Sequence, residues 1–418
     1  MPRLLRLAVG SLLLVPAVLM ADHHVDTLDA NRWLFPLTDY GPCGLGAEWC
    51  DYYSMFGMGP WFGAVVVDTF VSVGYNPNSG ASEFRTGDGR ADTLSMVYIW
   101  PDRWPAPPGR FPHAPQARRS DQDAWCCFRD TLFLQAFLTA YEWKGDRAQD
   151  LVILQYEFEC RHESTLSTAC YAAVTLDPDV GDGADDIYGL IYHQWVHRGP
   201  SDSFYVDHVA YACDGYDSGK YVGVALIKTP DNHSATAIKR FTIDIDPVTD
   251  AQQFLTMAGY DYRTGIYDPI DSGSPTPGDV RFLVASGPFT LGYPGKDVET
   301  LVVVIGAATN LTDLAEIGII GDSLYVNGVP GVADRTPVSE PAAGLKVWPN
   351  PFVNVVWFEP AKASLATLEI RDVSGRLVRT LAVSERGQWR GDDSGGGQVA
   401  PGVYFVSAGN ERLKIVRR

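Results

Sequence analysis

Five carboxylates fall within the ten residues Asp177-Pro-Asp179-Val-Gly-Asp182-Gly-Ala-Asp185-Asp186. Hard oxygen donors at this density, on a loop with Gly181 and Gly183 for tight turns, suit Ca²⁺, which takes six to eight oxygen ligands. Without a cation the carboxylates repel one another, so an ion would order the loop. The spacing is not that of an EF-hand, because the alternating ligand pattern and the closing Glu are missing. The expectation is a structural Ca²⁺ held by Asp177, Asp179, Asp182, Asp185 and Asp186, with a solvated acidic turn as the competing reading. Asp214-Gly-Tyr-Asp217 is a second, smaller cluster.

Other patterns are less complete. His193-Gln-Trp-Val-His197 has the histidine spacing of zinc peptidases, but Gln194 stands where a general-base Glu is needed. Glu157 and Glu159 share one side of a strand, yet glycoside hydrolysis needs two carboxylates across a cleft. No Gly-x-Ser-x-Gly elbow occurs. Trp100, Trp104, Trp125 and Trp143 fit either an aromatic sugar platform or a buried core. The leading expectation is therefore a non-enzymatic structural or binding protein. A glycan-acting hydrolase and a glycan-binding module are the alternatives, and a surface glycan is the candidate partner.

The elements that must position these residues read as strands. Short β-branched and aromatic runs, punctuated by Gly, Pro, Asn and Asp, recur at 64–73, 94–100, 151–160, 170–176, 187–196, 221–227, 238–245, 281–285 and 298–305. Helical signals are few. Thr249 with Gln252 three residues on is a capping box opening a short helix, and 311–325 is a second helical stretch weakened by Gly318 and Gly321. The expected fold is all-β, a large sandwich with minor helices followed by a small sandwich.

Even positions in 151–160 and in 170–176 are apolar, so both sets should share one buried face. A turn centred on Thr165 would make these strands a hairpin and set Cys160 opposite Cys170, near disulfide distance. Seven cysteines in an exported chain favour disulfides. Cys160–Cys170 is the first expected pair and Cys43–Cys50 the second. Cys126 and Cys127 are adjacent and should point to opposite faces, leaving at most one for Cys213.

Arg3 and Arg6 precede an apolar run from Leu7 to Met20, and Ala21 follows, the layout of a secretory signal peptide over 1–21. No later run is long and apolar enough to span a bilayer as a helix, so no transmembrane segment is expected after signal removal. The formal net charge of −18 argues against nucleic acid, whose phosphates need a basic face. Residues 332–344 are rich in Pro and small side chains and read as a linker between a domain at 22–331 and one at 345–418. From Leu345 onward there are 11 Lys and Arg against 7 Asp and Glu, so the first domain carries the whole negative excess.

The C-terminal stretch contains an ordered series: Asn350-Pro351-Phe352, Asp372-Val-Ser-Gly375-Arg376, Trp389-x-Gly391-x-Asp393, Gly402-Val-Tyr404-Phe405, and a closing Lys414-Ile-Val416-Arg. Short strands around Trp357, Phe358, Leu368, Ile370, Trp389, Tyr404 and Phe405 would make an immunoglobulin-like sandwich. In combination these motifs resemble the sorting domain of type IX secretion and the related immunoglobulin-like domain of flagellar hook-capping proteins. The resemblance implies a bacterial protein recognised by the type IX translocon, then released or attached to the cell surface via the periplasm. Few Thr and Ser lie between Asn350 and Leu368, a departure from the pattern. The first domain is similar only to uncharacterised secreted proteins, through stretches such as Gly109-Arg-Phe-Pro-His-Ala-Pro-Gln and Arg281-Phe-Leu-Val-Ala-Ser-Gly-Pro-Phe, which implies no chemistry. A chain ending at Gly344 should accumulate in the periplasm while the full chain reaches the surface or medium. Equal export of both, followed by fractionation and blotting, would contradict the sorting assignment.

Overall fold

The computed structural model describes residues 23–65, 68–89, 94–161, 169–199, 202–216, 219–273, 276–292 and 297–327. In the C-terminal part it describes 345–348, 352, 355–360, 366–372, 376–383, 386–408 and 411–417. The signal segment 1–21, the linker 332–344, the turn at Thr165, and Asp217, Asn350, Pro351 and Gly375 lie outside the described residues. The chain divides into two compact units, Met1–Gly331 and Val332–Arg418. Among the described residues no helix is long and apolar enough to cross a membrane.

Two large antiparallel sheets form most of the first unit, beside a four-stranded sheet of Val25–Leu28, Trp33–Thr38, Ala47–Trp49 and Tyr52–Met55 and a two-stranded one of Tyr260–Asp261 and Ile266–Tyr267. The larger of the two large sheets has nine strands. From one edge these are Ile187–His197, Ser203–Cys213, Tyr221–Lys228, Val298–Ala308, Leu151–Cys160, Leu134–Glu142 and Gln122–Arg129, with the two-residue strands Arg85–Thr86 and Tyr98–Ile99 on the last. The smaller has five, in the order Ala237–Thr242, Val280–Phe289, Cys170–Asp177, Gly57–Val65 and Thr69–Val73. Val152, Leu154, Tyr156 and Phe158 from the first sheet pack with Phe62, Ala172, Val174, Phe282 and Val284 from the second in one core. Strand alternation supplies this face, because every second side chain points inward.

Burial of that inward face was expected, but the pairing was not. Leu151–Cys160 pairs with Leu134–Glu142 and Val298–Ala308, whereas Cys170–Asp177 pairs with Gly57–Val65 and Val280–Phe289. The two strands are opposed walls of the sandwich rather than a hairpin. Period-two apolarity marks the buried face and does not identify the hydrogen-bonded neighbour. The expected run 64–73 is itself a hairpin of two strands.

Cysteine positions follow from this topology, and no disulfide is present among the described residues. Cys160 and Cys170 are both fully buried. Burial first, and Cys160 nearby, push the Cys170 thiol up to about 11. A bridge between them would therefore join sheet to sheet. Cys43 and Cys50 do not meet. Cys43 is bridged to Leu37 and approaches the Tyr156 hydroxyl at 3.4 Å, while the Cys50 amide donates to Arg32. Five residues of extended chain separate those anchors, about 16 Å at the usual strand rise, well beyond disulfide reach. Cys126 faces the inter-sheet core and Cys127 the outer face, as alternation requires.

Both sheets are also covered outside. Helix Asp250–Met257, opened by the Thr249–Gln252 capping box, packs on the five-stranded sheet around Phe241 and Leu283. Helices Leu311–Leu314 and Ile317–Asn327 cover Ile153, Val302 and Val304 on the nine-stranded sheet. Farther along that face, Phe111 and Ala114 from the 100–116 loop cover Trp125, Cys127 and Phe137.

The second unit has three strands in one sheet and four in the other, in keeping with the expected immunoglobulin-like sandwich. Phe352, Val356, Phe358, Leu368, Ile370, Trp389, Tyr404, Val406 and Ile415 form its core. Trp389 is fully buried, and its indole donates to the Asp392 carbonyl at 2.7 Å. Trp357 and Phe405, expected in that core, point outward because their strand neighbours 356, 358, 404 and 406 point in. Gly402 and Lys414 lie on the last two strands, which pair Gly402 with Arg417 and Val403 with Val416. Arg376 is exposed just before the strand Leu377–Val383.

Gly321 explains why a weak helix seats so closely. A Cβ there would fall 2.3 Å from Val304 Cγ2. Gly321→Ala should therefore cost about 1–3 kcal/mol through overpacking, although helix propensity alone favours Ala by about 1 kcal/mol. The melting temperature should fall; an unchanged or higher value would mean that the helix does not sit on Val304.

Candidate functional site

Between the two covers on the outer face of the nine-stranded sheet lies a half-buried polar strip. Strand Leu151–Cys160 presents Gln155, Glu157 and Glu159 along it. Register sets Glu159 beside Gln135 and Glu157 beside Phe137 on one neighbour, with Val298 and Thr300 on the other. These polar side chains are the outward half of the strand whose inward half fills the core.

One end of the strip opens into a pocket of about 270 Å³ lined by Asp88, Arg110, His113, Gln135, Phe137, Glu159 and Arg161, among others. That is just under the ~300–1,000 Å³ usual for small-molecule sites. Its aromatic surface is built in layers: Trp125 stacks with Phe137 at 6.3 Å between ring centroids, and the His113 ring stacks on Phe137 at 4.7 Å. His113 Nε2 lies 4.0 Å from Glu159 Oε2. Arg110 is fixed in a bidentate pair with Asp88 at 2.7 and 2.8 Å, so its orientation is set before any ligand arrives.

Glu157 is held from the other end. Its carboxylate accepts from the Gln155 amide at 3.0 Å. The Gln155 carbonyl accepts from the hydroxyls of Tyr325 at 3.1 Å and Tyr141 at 3.4 Å. Arg119 lies over both tyrosine rings. The helix thus anchors the strip through Tyr325. Pocket and network together offer apolar rings beside hydrogen-bonding groups of both signs. The His113–Glu159 contact is invisible in sequence; only alternation in 151–160 hinted at Glu157 and Glu159.

The five aspartates expected to hold calcium are divided. Asp177 is fully buried; its Oδ1 lies 3.2 Å from Arg281 Nε and its Oδ2 accepts from the Tyr75 hydroxyl at 3.0 Å. Asp246 and Asp279 also flank Arg281, at 3.7 and 3.3 Å. Asp182 is exposed and accepts from the Ala184 amide. Asp185 and Asp186 are buried, and Asp179 is half-buried. Burial raises Asp179 to about 7 and Asp186 to about 8, with neighbouring aspartates adding to both shifts. Among the described residues no three His, Cys, Asp or Glu side chains already converge as metal ligands.

Trp125 and Trp143 are buried, Trp104 is half-buried, and Trp100 is partly exposed beneath Arg118. The ordered tryptophan most open to solvent is one not singled out as a platform, Trp195, 62% exposed against Tyr205 on the hairpin of 187–197 with 203–213. His193 bonds the Tyr205 hydroxyl at 3.0 Å and lies 3.4 Å from Asp207.

No family model matches the chain, and no curated protein matches it. Solved structures similar to it include a bacterial glucoamylase complexed with acarbose, 12% identical, with a TM-score of 0.45 over 73% of this chain and 35% of that one. An Aspergillus nidulans amine oxidase is 8% identical, with a TM-score of 0.33 over 70% and 55%. A putative aldose 1-epimerase from Escherichia coli K12 is 9% identical, with a TM-score of 0.35 over 69% and 100%. The chain spans about a third of the glucoamylase's length. Likeness at this level says nothing of activity.

Burial raises the Glu157 carboxyl above the ordinary range, opposed by the Gln155 amide, His113 and Lys228. A group raised in the folded state contributes fully below its unfolded pKa and loses that contribution as pH climbs through the folded value. Glu157→Gln should therefore melt higher than the parent at about pH 7, with the gap closing near pH 4, where both are neutral. A lower melting temperature at neutral pH would contradict this account of Glu157.

Proposed function

We propose that the chain is an exported, non-enzymatic binding protein whose first unit holds a sugar ring in the pocket beside Glu159 and His113. In this reading the second unit is the export and sorting module. The observation that supports it is the pairing of stacked rings with fixed polar groups. The exposed His113 ring, backed by the buried Phe137 and Trp125 rings, offers a flat surface for a pyranose face. Glu159 accepts from sugar hydroxyls, and Arg110, already oriented by Asp88, donates to them. The volume suits one ring at the end of a longer chain laid along Gln155 and Glu157.

Calorimetric titration of the purified protein against a panel of soluble oligosaccharides, with product analysis of the same mixtures, tests this. At least one class should bind without being cleaved. Losing a hydrogen bond to a charged group costs about 1.5–3 kcal/mol, so Glu159→Gln should weaken binding roughly 10- to 100-fold. His113→Ala should also weaken it, while Trp195→Ala leaves it unchanged. No binding across the panel, or equal binding by Glu159→Gln, would overturn the site. Release of new reducing ends would replace the binding reading with hydrolysis.

A further inference from the structure

One end of the first unit gathers more negative charge than its basic groups can balance. Arg281 is 6% exposed and shared among Asp177, Asp246 and Asp279. Beyond that group stand Asp179, Asp185 and Asp186 on the loop after Cys170–Asp177, and Asp214 at the end of Ser203–Cys213. Among the described residues no Lys, Arg or His lies within ion-pair distance of Asp179, Asp185 or Asp186.

The two segments are locked together. Asp214 accepts from the Tyr52 hydroxyl and, at 2.8 Å, from the Tyr216 amide. A Cβ at Gly181 would meet the Tyr52 hydroxyl at 2.4 Å and Asp214 Oδ2 at 2.9 Å, and one at Gly183 would meet Asp179 Oδ1 at 2.0 Å. The glycines thus let the loop backbone lie against Asp214 and Asp179, which places carboxylates of both segments in one neighbourhood without bringing them into contact. Within it Asp186 is fully buried, and its Oδ1 has no hydrogen-bond partner; Oδ2 accepts from the Val180 amide. Asp185 is 9% exposed, and its carboxylate is approached by backbone amides, its own and that of Tyr216. An ionised buried carboxylate oxygen without a donor, as at Asp186 Oδ1, is strongly disfavoured, so it either takes up a proton or meets a cation.

We infer that this end of the sandwich binds one Ca²⁺ between the 179–186 loop and the 214–216 turn, through Asp179, Asp185, Asp186 and Asp214. The ligand set differs from the local one expected from sequence. Asp177 is an anchor held by Arg281 and Tyr75, exposed Asp182 stays in solvent, and Asp214 enters from another strand. The carboxylates stand apart by mutual repulsion, and an ion draws them inward. Calcium suits the site because it accepts irregular oxygen cages with water completing the shell, whereas magnesium demands a tighter octahedron. Loop and turn close one end of the sandwich, so the ion is structural and independent of the sugar pocket.

The test uses the full chain freed of metal with chelator. Calorimetry should find one calcium per chain, and millimolar calcium should raise the melting temperature by several degrees. Magnesium should give a much smaller rise. Asp186→Asn and Asp185→Asn should each lose the calcium response; Asp182→Asn should keep it. Removing a buried charge leaves the metal-free fold at least as stable, so loss of response will not reflect unfolding. The inference is overturned if calcium leaves melting unmoved, if magnesium acts equally, or if the response survives both buried substitutions.

Discussion

The central strands of the nine-stranded sheet are apolar on both faces over part of their length, and everything else in the first unit answers to that. Val152, Leu154 and Tyr156 point into the inter-sheet core, while Ile153, Val302 and Val304 point the other way. A sheet with two apolar faces must be covered twice. The five-stranded sheet covers the inside together with Trp33, Phe35, Leu37 and Met55 from the four-stranded sheet. Outside, the cover is split between the helix 317–327 and the 100–116 loop. At the edges of these covers the outward residues of 151–160 change from Ile153 to the half-buried Gln155, Glu157 and Glu159, with Tyr325 of the helix on Gln155 and His113 of the loop beside Glu159. The pocket lies where the 100–116 loop meets the end of that polar row, with Arg110 and His113 from the loop and Phe137 and Glu159 from the sheet, so its position follows from core packing.

The same logic separates rigid from strained polar groups. Arg281 and its three carboxylates form a compact buried group at one end of the sandwich, tied to Tyr75 through Asp177. Desolvation is the first cause of the raised Asp177 and Asp246 values, both about 6, with Arg281 pulling each back. Asp179 and Asp186, which have no ion pair with Arg281, are raised further, to about 7 and about 8, by burial and by neighbouring aspartates.

Much of this fold was legible in the residues. Alternation identified strands 151–160, 170–176 and 187–196, and the Thr249–Gln252 box marked a real helix start. Strands 122–129 and 134–142 were not read, because nearly every residue in them is buried and alternation disappears. The Arg390-Gly391-Asp392 tripeptide belongs to a turn in which Asp392 pairs with Arg379 and Asp393 accepts from the Gly395 and Gly397 amides. The site was harder to read. Its partners come from separate strands, helices and loops, His113 with Glu159 and Tyr325 with Gln155, and such meetings depend on strand order, which local periodicity does not encode.

The central claim is that a sugar ring occupies the pocket beside Glu159 and His113. A crystal structure of the protein soaked with an oligosaccharide that it binds tests this most directly. The account predicts a ring against the exposed face of His113, with its hydroxyls on Glu159 and Arg110 and the chain running toward Glu157. A ring seated instead on Trp195 and Tyr205, with the pocket holding only water, would contradict it.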